Sequence, residues 1–340
     1  MKKYLLPQTG NFYKANMHSH STVSDGHLSP EEMKKAYMEQ GYSIIAYTDH
    51  EVMVPHPELA DENFLPLNGY EMSMPESGDK PWRFKKTTHL CLIALDPNNR
   101  KHVCKHRTEW PDANVPMARF RDQMEFLYED EPDFIRDHTP ECVNEVIRRG
   151  RENGFFVTYN HPAWSLDNYT DYMNYHGMHA MEICNQGAST LGYMDYNEKE
   201  YEDILRGGEW IFCVAGDDNH NKPDRPSDSF GGFTVIKAEK LEYAAVADAL
   251  VAGHFYASQG PEIRELWYED GKIHITCSDA ERIILHASGR RSGSVFKPEN
   301  GTLNAAAFKV VPEDGYVRIT VIDAAGKHAN TNAYFTDELL

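Results

Sequence analysis

Apolar runs recur along the first three quarters of the chain, and most give way to polar punctuation that reads as a turn or a helix start. Ser43-Ile44-Ile45-Ala46-Tyr47, Phe64 to Tyr70, Thr88 to Leu95, Phe155 to Tyr159, Met181 to Cys184, Trp210 to Ala215 and Thr234 to Lys237 read as strands. Between several of them lie helix signals. Ser29, Pro30 and Glu32 combine an N-cap, a proline at the first helical position and a capping box, and Gly41 is a suitable stop. Further helices are predicted from Pro140 to Gly154, Asn197 to Arg206 and Leu241 to Ala252, with another near Met117 to Tyr128. Strands alternating with helices predict an α/β domain of barrel-like form. Beyond Pro261 the texture changes to short runs with partial period-two alternation: Ile263 to Tyr268, Lys272 to Thr276, Arg282 to His286 and Tyr316 to Ile322. Glu269-Asp270-Gly271 between the first two is a hairpin signal. We therefore divide the chain into a domain over 1–260 and a small all-β domain over 261–340.

Polar residues sit where these strands end. His18 and His20 are two apart in an extended segment, so both rings can face one point. Asp25 lies in a Ser-Asp-Gly turn, His50 follows Thr48-Asp49, Glu71 follows the third strand, and His89 opens the fourth. Asn160-His161-Pro162 ends the fifth strand, and Asp217-Asp218-Asn219-His220 ends the seventh. In α/β folds the chemistry collects beyond the carboxyl ends of strands. Six imidazoles and three carboxylates make a mixed nitrogen and oxygen set, which suits Zn, Mn or Fe over Ca or Mg. Asp49 and Asp217 read as groups that orient their neighbours, and His27 as a solvent-facing residue.

The ordered set HSH, SDG and TDHE closely resembles the PHP family, named for its polymerase and histidinol phosphatase members. The resemblance extends over roughly Asn16 to Pro261 and implies a distorted seven-stranded (β/α) barrel. It implies nine metal ligands: His18, His20, Asp25, His50, Glu71, His89, His161, Asp218 and His220. His18, His20, Glu71 and Asp218 would hold one ion, Glu71 would bridge to a second completed by His89 and His161, and Asp25, His50 and His220 would hold a third. The implied activity is a metal-dependent phosphoesterase acting on a small phosphorylated metabolite, with two to three divalent transition-metal ions. A hydroxide bridging the ions would attack phosphorus, and Glu71, His161 and Asp218 would carry the chemistry. Lys222 and Arg225, in NKPDRP, are candidates to bind the substrate phosphate, and Trp164 and Asn185 to line the pocket. Hydrolysis of carboxyl or carbamate esters, and a non-enzymatic metal-binding module, are the alternatives.

Composition narrows this further. At 340 residues, 41% apolar and 26% charged, the chain is ordinary for a globular protein. A formal charge of -19 argues against stable nucleic-acid binding, which needs a basic surface. No run is long enough to span a membrane. Lys2 and Lys3 are followed too soon by Pro7 for a signal peptide, so a cytoplasmic location is the expectation. Six cysteines without CxxC pairing predict reduced thiols. Oligomeric state is not legible.

Overall fold

The computed structural model describes residues 2–106, 120, 123–194 and 196–340. The first half contains β1 (Asn11–Asn16), α1 (Pro30–Glu39), β2 (Ile44–Tyr47), β3 (Leu65–Pro75), β4 (Thr87–Ala94), α2 (Pro140–Glu152) and β5 (Phe155–Asn160). Next come β6 (Ala180–Asn185), α3 (Glu198–Arg206), β7 (Phe212–Gly216), β8 (Phe233–Ala238), α4 (Tyr243–Val251) and β9 (Phe255–Ser258). The C-terminal part is mostly strand, with a short terminal helix (Thr336–Leu339): β10 (Ile263–Glu269), β11 (Lys272–Cys277), β12 (Arg282–Ala287), β13 (Gly293–Phe296), β14 (Ala305–Lys309), β15 (Tyr316–Ile322) and β16 (His328–Thr331).

One sheet runs through most of the molecule, in the order β7-β6-β5-β4-β3-β2-β1-β8-β9-β16-β15-β12-β13. β1, β2 and β3 pair in parallel, as do β5, β6 and β7. β4 runs antiparallel to both β3 and β5. The carboxyl ends of six strands and the start of β4 therefore meet at one edge, and the polar residues gather there. Thr234 on β8, within this path, ties by its side chain to β7 at its end: its Oγ1 accepts from Ala215 N–H at 3.1 Å and donates to Ala215 O at 3.0 Å.

The strands are buried on both faces because helices cover the outside. Val143, Val146 and Ile147 of α2 and Tyr201, Ile204 and Leu205 of α3 join one core cluster. Val246, Ala249 and Leu250 of α4 join another. The capping box at Ser29 forms as expected, with Glu32 N–H to Ser29 Oγ at 3.2 Å and Ser29 N–H to Glu32 Oε2 at 2.8 Å.

Two expectations need correction. The third strand does not stop before Glu71. It continues to Pro75, because Gly69 to Pro75 pair with Thr87 to Ile93 in a hairpin. Glu71 and His89 are thus held mid-strand, on rigid backbone. The helix expected near Met117 to Tyr128 falls partly outside the described residues. Where it is described, Glu125–Phe126 is a short strand paired in parallel with Lys101–His102.

The C-terminal strands extend the main sheet through the β9–β16 pairing. A second sheet, of Lys3–Tyr4, β10, β11 and β14, faces them. Leu266, Ile273, Ile275, Ile283, Leu285, Ile319 and Val321 fill the space between, together with Leu5 and Leu6. Where this region meets α3 lies a buried ion network. Arg318 donates from Nε to Glu202 Oε1 at 2.6 Å, from Nη2 to Glu198 Oε1 at 2.7 Å and from Nη1 to Thr320 Oγ1 at 3.1 Å. Tyr316 OH donates to Glu202 Oε2 at 2.6 Å. All six cysteines are free thiols. No helix among the described residues is long and apolar enough to cross a membrane.

Candidate metal centre

All nine residues singled out in the sequence converge on this edge. Their donor atoms form four overlapping groups: His18, His20 and Asp218; His18, Glu71 and His161; His50, Glu71 and His89; and His20, Asp25, His50 and His220. Glu71 sits at the centre. Its Oε1 lies 2.9 Å from His89 Nδ1, 3.1 Å from His161 Nε2 and 3.1 Å from His18 Nε2. His18 Nε2 and His20 Nε2 are 3.1 Å apart, and Asp218 Oδ1 is 3.4 Å and 3.0 Å from them. Asp25 Oδ1 is 3.2 Å from His220 Nε2 and 3.7 Å from His50 Nε2.

These spacings fit a shared cation. Nitrogen and oxygen ligands about 2.1 Å from one ion stand about 3.0 Å apart in octahedral and about 3.4 Å apart in tetrahedral geometry. Hydrogen bonding alone does not account for them. Glu71 Oε2 is 2.9 Å from His50 Nδ1, yet buried without a hydrogen bond, and Asp25 Oδ1 is likewise without one. His89 and His161 meet Glu71 Oε1 in hydrogen-bond geometry, but Glu71 Oε2 and Asp25 Oδ1 approach ring nitrogens without it, as atoms aimed at a common third point do.

The outer ring nitrogens support this. His18 Nδ1 bonds Glu182 Oε1 at 2.8 Å, His89 Nε2 bonds Ser73 Oγ at 2.9 Å and His161 Nδ1 bonds Ser165 Oγ at 3.2 Å. His220 Nδ1 bonds Asp218 O at 3.0 Å. At His18 and His220 an acceptor faces the outer ring nitrogen, so a neutral ring would carry its proton there and turn a bare inner nitrogen to an ion. Burial, with His50 and His220 alongside, pushes the His20 pKa down to about 3, so this ring is neutral. Burial pushes Glu71 towards its neutral form, but His89, His18 and His50 overcome it and hold the carboxyl well below its ordinary value.

Backbone geometry helps to aim the ligands. His161 and Asp218 have positive φ, 27° and 50°. Such backbone costs of order 1 kcal/mol or more per residue and persists where the surroundings enforce it. Here His161 N–H donates to Glu182 Oε2 at 3.0 Å, and Asp218 N–H donates to His18 O at 2.9 Å.

Glu182 was not singled out from sequence. Its carboxylate fixes the His18 ring, the His161 backbone and, through Asn185 Nδ2 at 2.8 Å, a residue that also reaches Asp218 Oδ2 at 3.3 Å. The signal was an acid within the apolar strand Met181 to Cys184. The Asp49 carboxylate accepts from the N–H and hydroxyl groups of Ser21 and Ser24 and shapes the loop leading to Asp25, while its backbone O accepts from Glu71 N–H at 3.2 Å. Asp217 accepts from the N–H groups of Phe230, Gly231 and Gly232. His27 is exposed. Of the two basic candidates, Lys222 donates to Asp25 Oδ2 at 3.0 Å. Arg225 is exposed. Both line a cavity of about 420 Å³ over the site, shared with Trp82, Trp164, Leu191 and Tyr193.

Fold and site together define an α/β protein with a cluster of histidines and carboxylates placed as a candidate metal centre. A family model described as the PHP domain matches residues 16–214, more than half of the chain, and the chain belongs to the PHP domain family. Three solved structures are similar to it. A two-domain protein from Bacteroides vulgatus, described as containing a predicted PHP-like metal-dependent phosphoesterase, is 15% identical, covers 97% of each chain and has a TM-score of 0.43. A putative metal-dependent phosphoesterase from Bifidobacterium adolescentis is 16% identical over 66% of this chain and 94% of that one, with a TM-score of 0.37. An amidohydrolase from Chromobacterium violaceum, solved with sulfate and no metal, is 16% identical over 61% of this chain and 87% of that one, with a TM-score of 0.38. No curated protein sequence matches the chain.

Proposed function

We propose that this protein hydrolyses a phosphate ester of a small metabolite, with three divalent ions (Zn, Mn or Fe) held by the nine residues above. The observation that carries this reading is the convergence of donor atoms on Glu71, with spacings that suit coordination and buried carboxylate oxygens that make no hydrogen bond. His18, His20, Glu71 and Asp218 are assigned to one ion, Glu71, His89 and His161 to a second, and Asp25, His50 and His220 to a third. Bound ions would supply positive charge to the phosphoryl oxygens and acidify water. Glu71, His161 and Asp218 then set the geometry of the reacting centre. Lys222 offsets the charge of Asp25, and Arg225 stands on the cavity wall where an anionic oxygen can meet it. The strands β1 to β7 are read as a distorted barrel, 1–260 as the catalytic unit and 261–340 as a β unit on which Lys3–Tyr4 also packs. The reading places the protein in the cytoplasm, with a small molecule as its partner.

The test is turnover of p-nitrophenyl phosphate, bis-p-nitrophenyl phosphate and p-nitrophenyl acetate by Mn- or Zn-loaded protein, with Glu71→Gln as control. Monoester turnover that vanishes in the control supports the proposal. Turnover of the acetate alone would move the assignment to carboxyl esters, and full activity in Glu71→Gln would defeat the assignment of Glu71.

A further inference from the structure

The cavity over the metal centre has two unlike sides. One is the floor of imidazoles and carboxylates with Lys222 and Arg225 beside it. The other is apolar, and it is exposed. Trp82, Leu191 and Tyr193 line the same cavity yet remain 52%, 46% and 39% accessible. A single exposed apolar side chain needs no explanation; a cluster around a cavity mouth marks a binding surface. These three come from two separate parts of the chain. Trp82 opens a 3-10 turn (Trp82–Phe84) in the β3–β4 hairpin loop, closed by Lys85 N–H to Trp82 O at 2.9 Å. The loop's base is closed by Glu76 N–H to Lys86 O at 2.8 Å. Leu191 and Tyr193 follow the short helix Gln186–Thr190, where Tyr193 N–H donates to Ala188 O at 3.1 Å. Between mouth and floor stands Trp164, its ring 4.9 Å from that of His89 and 5.0 Å from that of His161.

This gradient orients an ester. The phosphoryl group, anionic and strongly hydrated, belongs on the floor beside the cations. Whatever is attached to it extends along Trp164 towards Trp82, Leu191 and Tyr193. Aromatic walls reward a flat ring, through stacked or edge-on contact, more than a sugar or a short alkyl chain. Resting on the phosphoesterase reading, we propose that the leaving group of the substrate carries a flat ring seated among Trp82, Trp164, Leu191 and Tyr193. The reaction is plain hydrolysis: the oxygen of water bonds to phosphorus, the bond to the ring-bearing alcohol breaks, and that alcohol takes the proton.

The experiment separates ring recognition from chemistry. Benzylphosphonate and propylphosphonate resist hydrolysis, and their Kd values for the metal-loaded protein are measured by calorimetry. We expect benzylphosphonate to bind about tenfold tighter, the scale of one or two aromatic contacts. The Trp82→Ala, Tyr193→Ala double variant should bring the ratio close to one. Folding of that variant is checked by circular dichroism, and Trp82→Phe should retain most of the preference. Equal affinity for the two phosphonates in the native protein, or a ratio that survives the double variant, overturns the proposal; so does failure of benzylphosphonate to bind. Benzyl phosphate and propyl phosphate, whose leaving alcohols are of similar acidity, are then compared in kcat/KM and should show the same preference. A protein that binds benzylphosphonate selectively but leaves benzyl phosphate intact would sink the phosphoesterase reading and uphold the ring site.

Discussion

The molecule buries two clusters of charged side chains, and they are built on opposite principles. Around Arg318 every charge is met within the protein. Glu202 and Glu198 take its guanidinium, Tyr316 and Arg206 complete Glu202, and no buried polar atom of Arg318, Glu198, Glu202 or Tyr316 lacks a partner. Around Glu71 carboxylates and imidazoles crowd together, and one carboxylate oxygen of each of Glu71 and Asp25 (Oε2 and Oδ1) makes no hydrogen bond. The first cluster is finished by folding. The second, on the proposed reading, is finished by metal ions. A buried polar group without a partner costs free energy, so a set of them persists where function maintains it.

Substitutions can break the comparison at either pole. The largest effect should come from Glu71→Gln, which weakens a ligand placed between groups. Turnover should fall on the order of a thousandfold, and bound metal, read by elemental analysis, should drop by at least one ion per chain. Normal metal content with normal rate would show that Glu71 is not shared. Next, Arg318→Met should destabilise the fold by about 3 kcal/mol in denaturant unfolding, because Glu202 keeps Tyr316 and Arg206 on Oε2 while its Oε1 is left buried without the guanidinium. Metal content per folded molecule should stay constant. Loss of metal there would mean that the two clusters are coupled.

Glu182→Gln sharpens the contrast, since it leaves every proposed ligand in place. It should lower metal affinity, measured by chelator competition, by about tenfold to a hundredfold, through loss of the acceptor that orients His18. The smallest effect concerns a self-contained pair between the two extremes. His138 Nε2 bonds Asp167 Oδ1 at 2.6 Å, and Asp167 also accepts from Tyr159 and Thr88. Burial opposes charge on His138, but Asp167 more than offsets it and raises the imidazole pKa. A raised folded-state pKa contributes stability that is complete below the free histidine value, about 6.5, and is lost as pH rises through the raised one. Native protein should therefore lose about 1 kcal/mol relative to His138→Gln between acid and mildly alkaline pH, read as the difference of two unfolding curves. A difference that grows with pH would reverse the assignment.

The same contrast explains what the sequence disclosed. The proposed ligands announce themselves through local spacing: His18 and His20 two apart, Asp218 and His220 two apart, and His50 and His161 at strand ends. Their supports do not. Glu182 looks like one acid in an apolar strand, and its partners His18 and His161 are remote in sequence. Arg318 shares a strand face with Tyr316 and Thr320, a polar stripe in Tyr316 to Ile322, but Glu198 and Glu202 are more than a hundred residues away. Glu71 was expected beyond a strand and proves to lie within one, since a polar residue facing a buried site looks locally like a strand end. The strands β13, β14 and β16 were missed: they are short, and they take their order from partners rather than from pattern.

Lys3 and Tyr4 pair with Tyr268 and Trp267, and Leu5 and Leu6 are buried with them. During synthesis this segment must wait for its partner strand. At roughly 5–20 residues per second, some tens of seconds pass before that strand emerges. Until then two leucines and a tyrosine stay uncovered on the nascent chain, a place where a chaperone or a second nascent chain can bind.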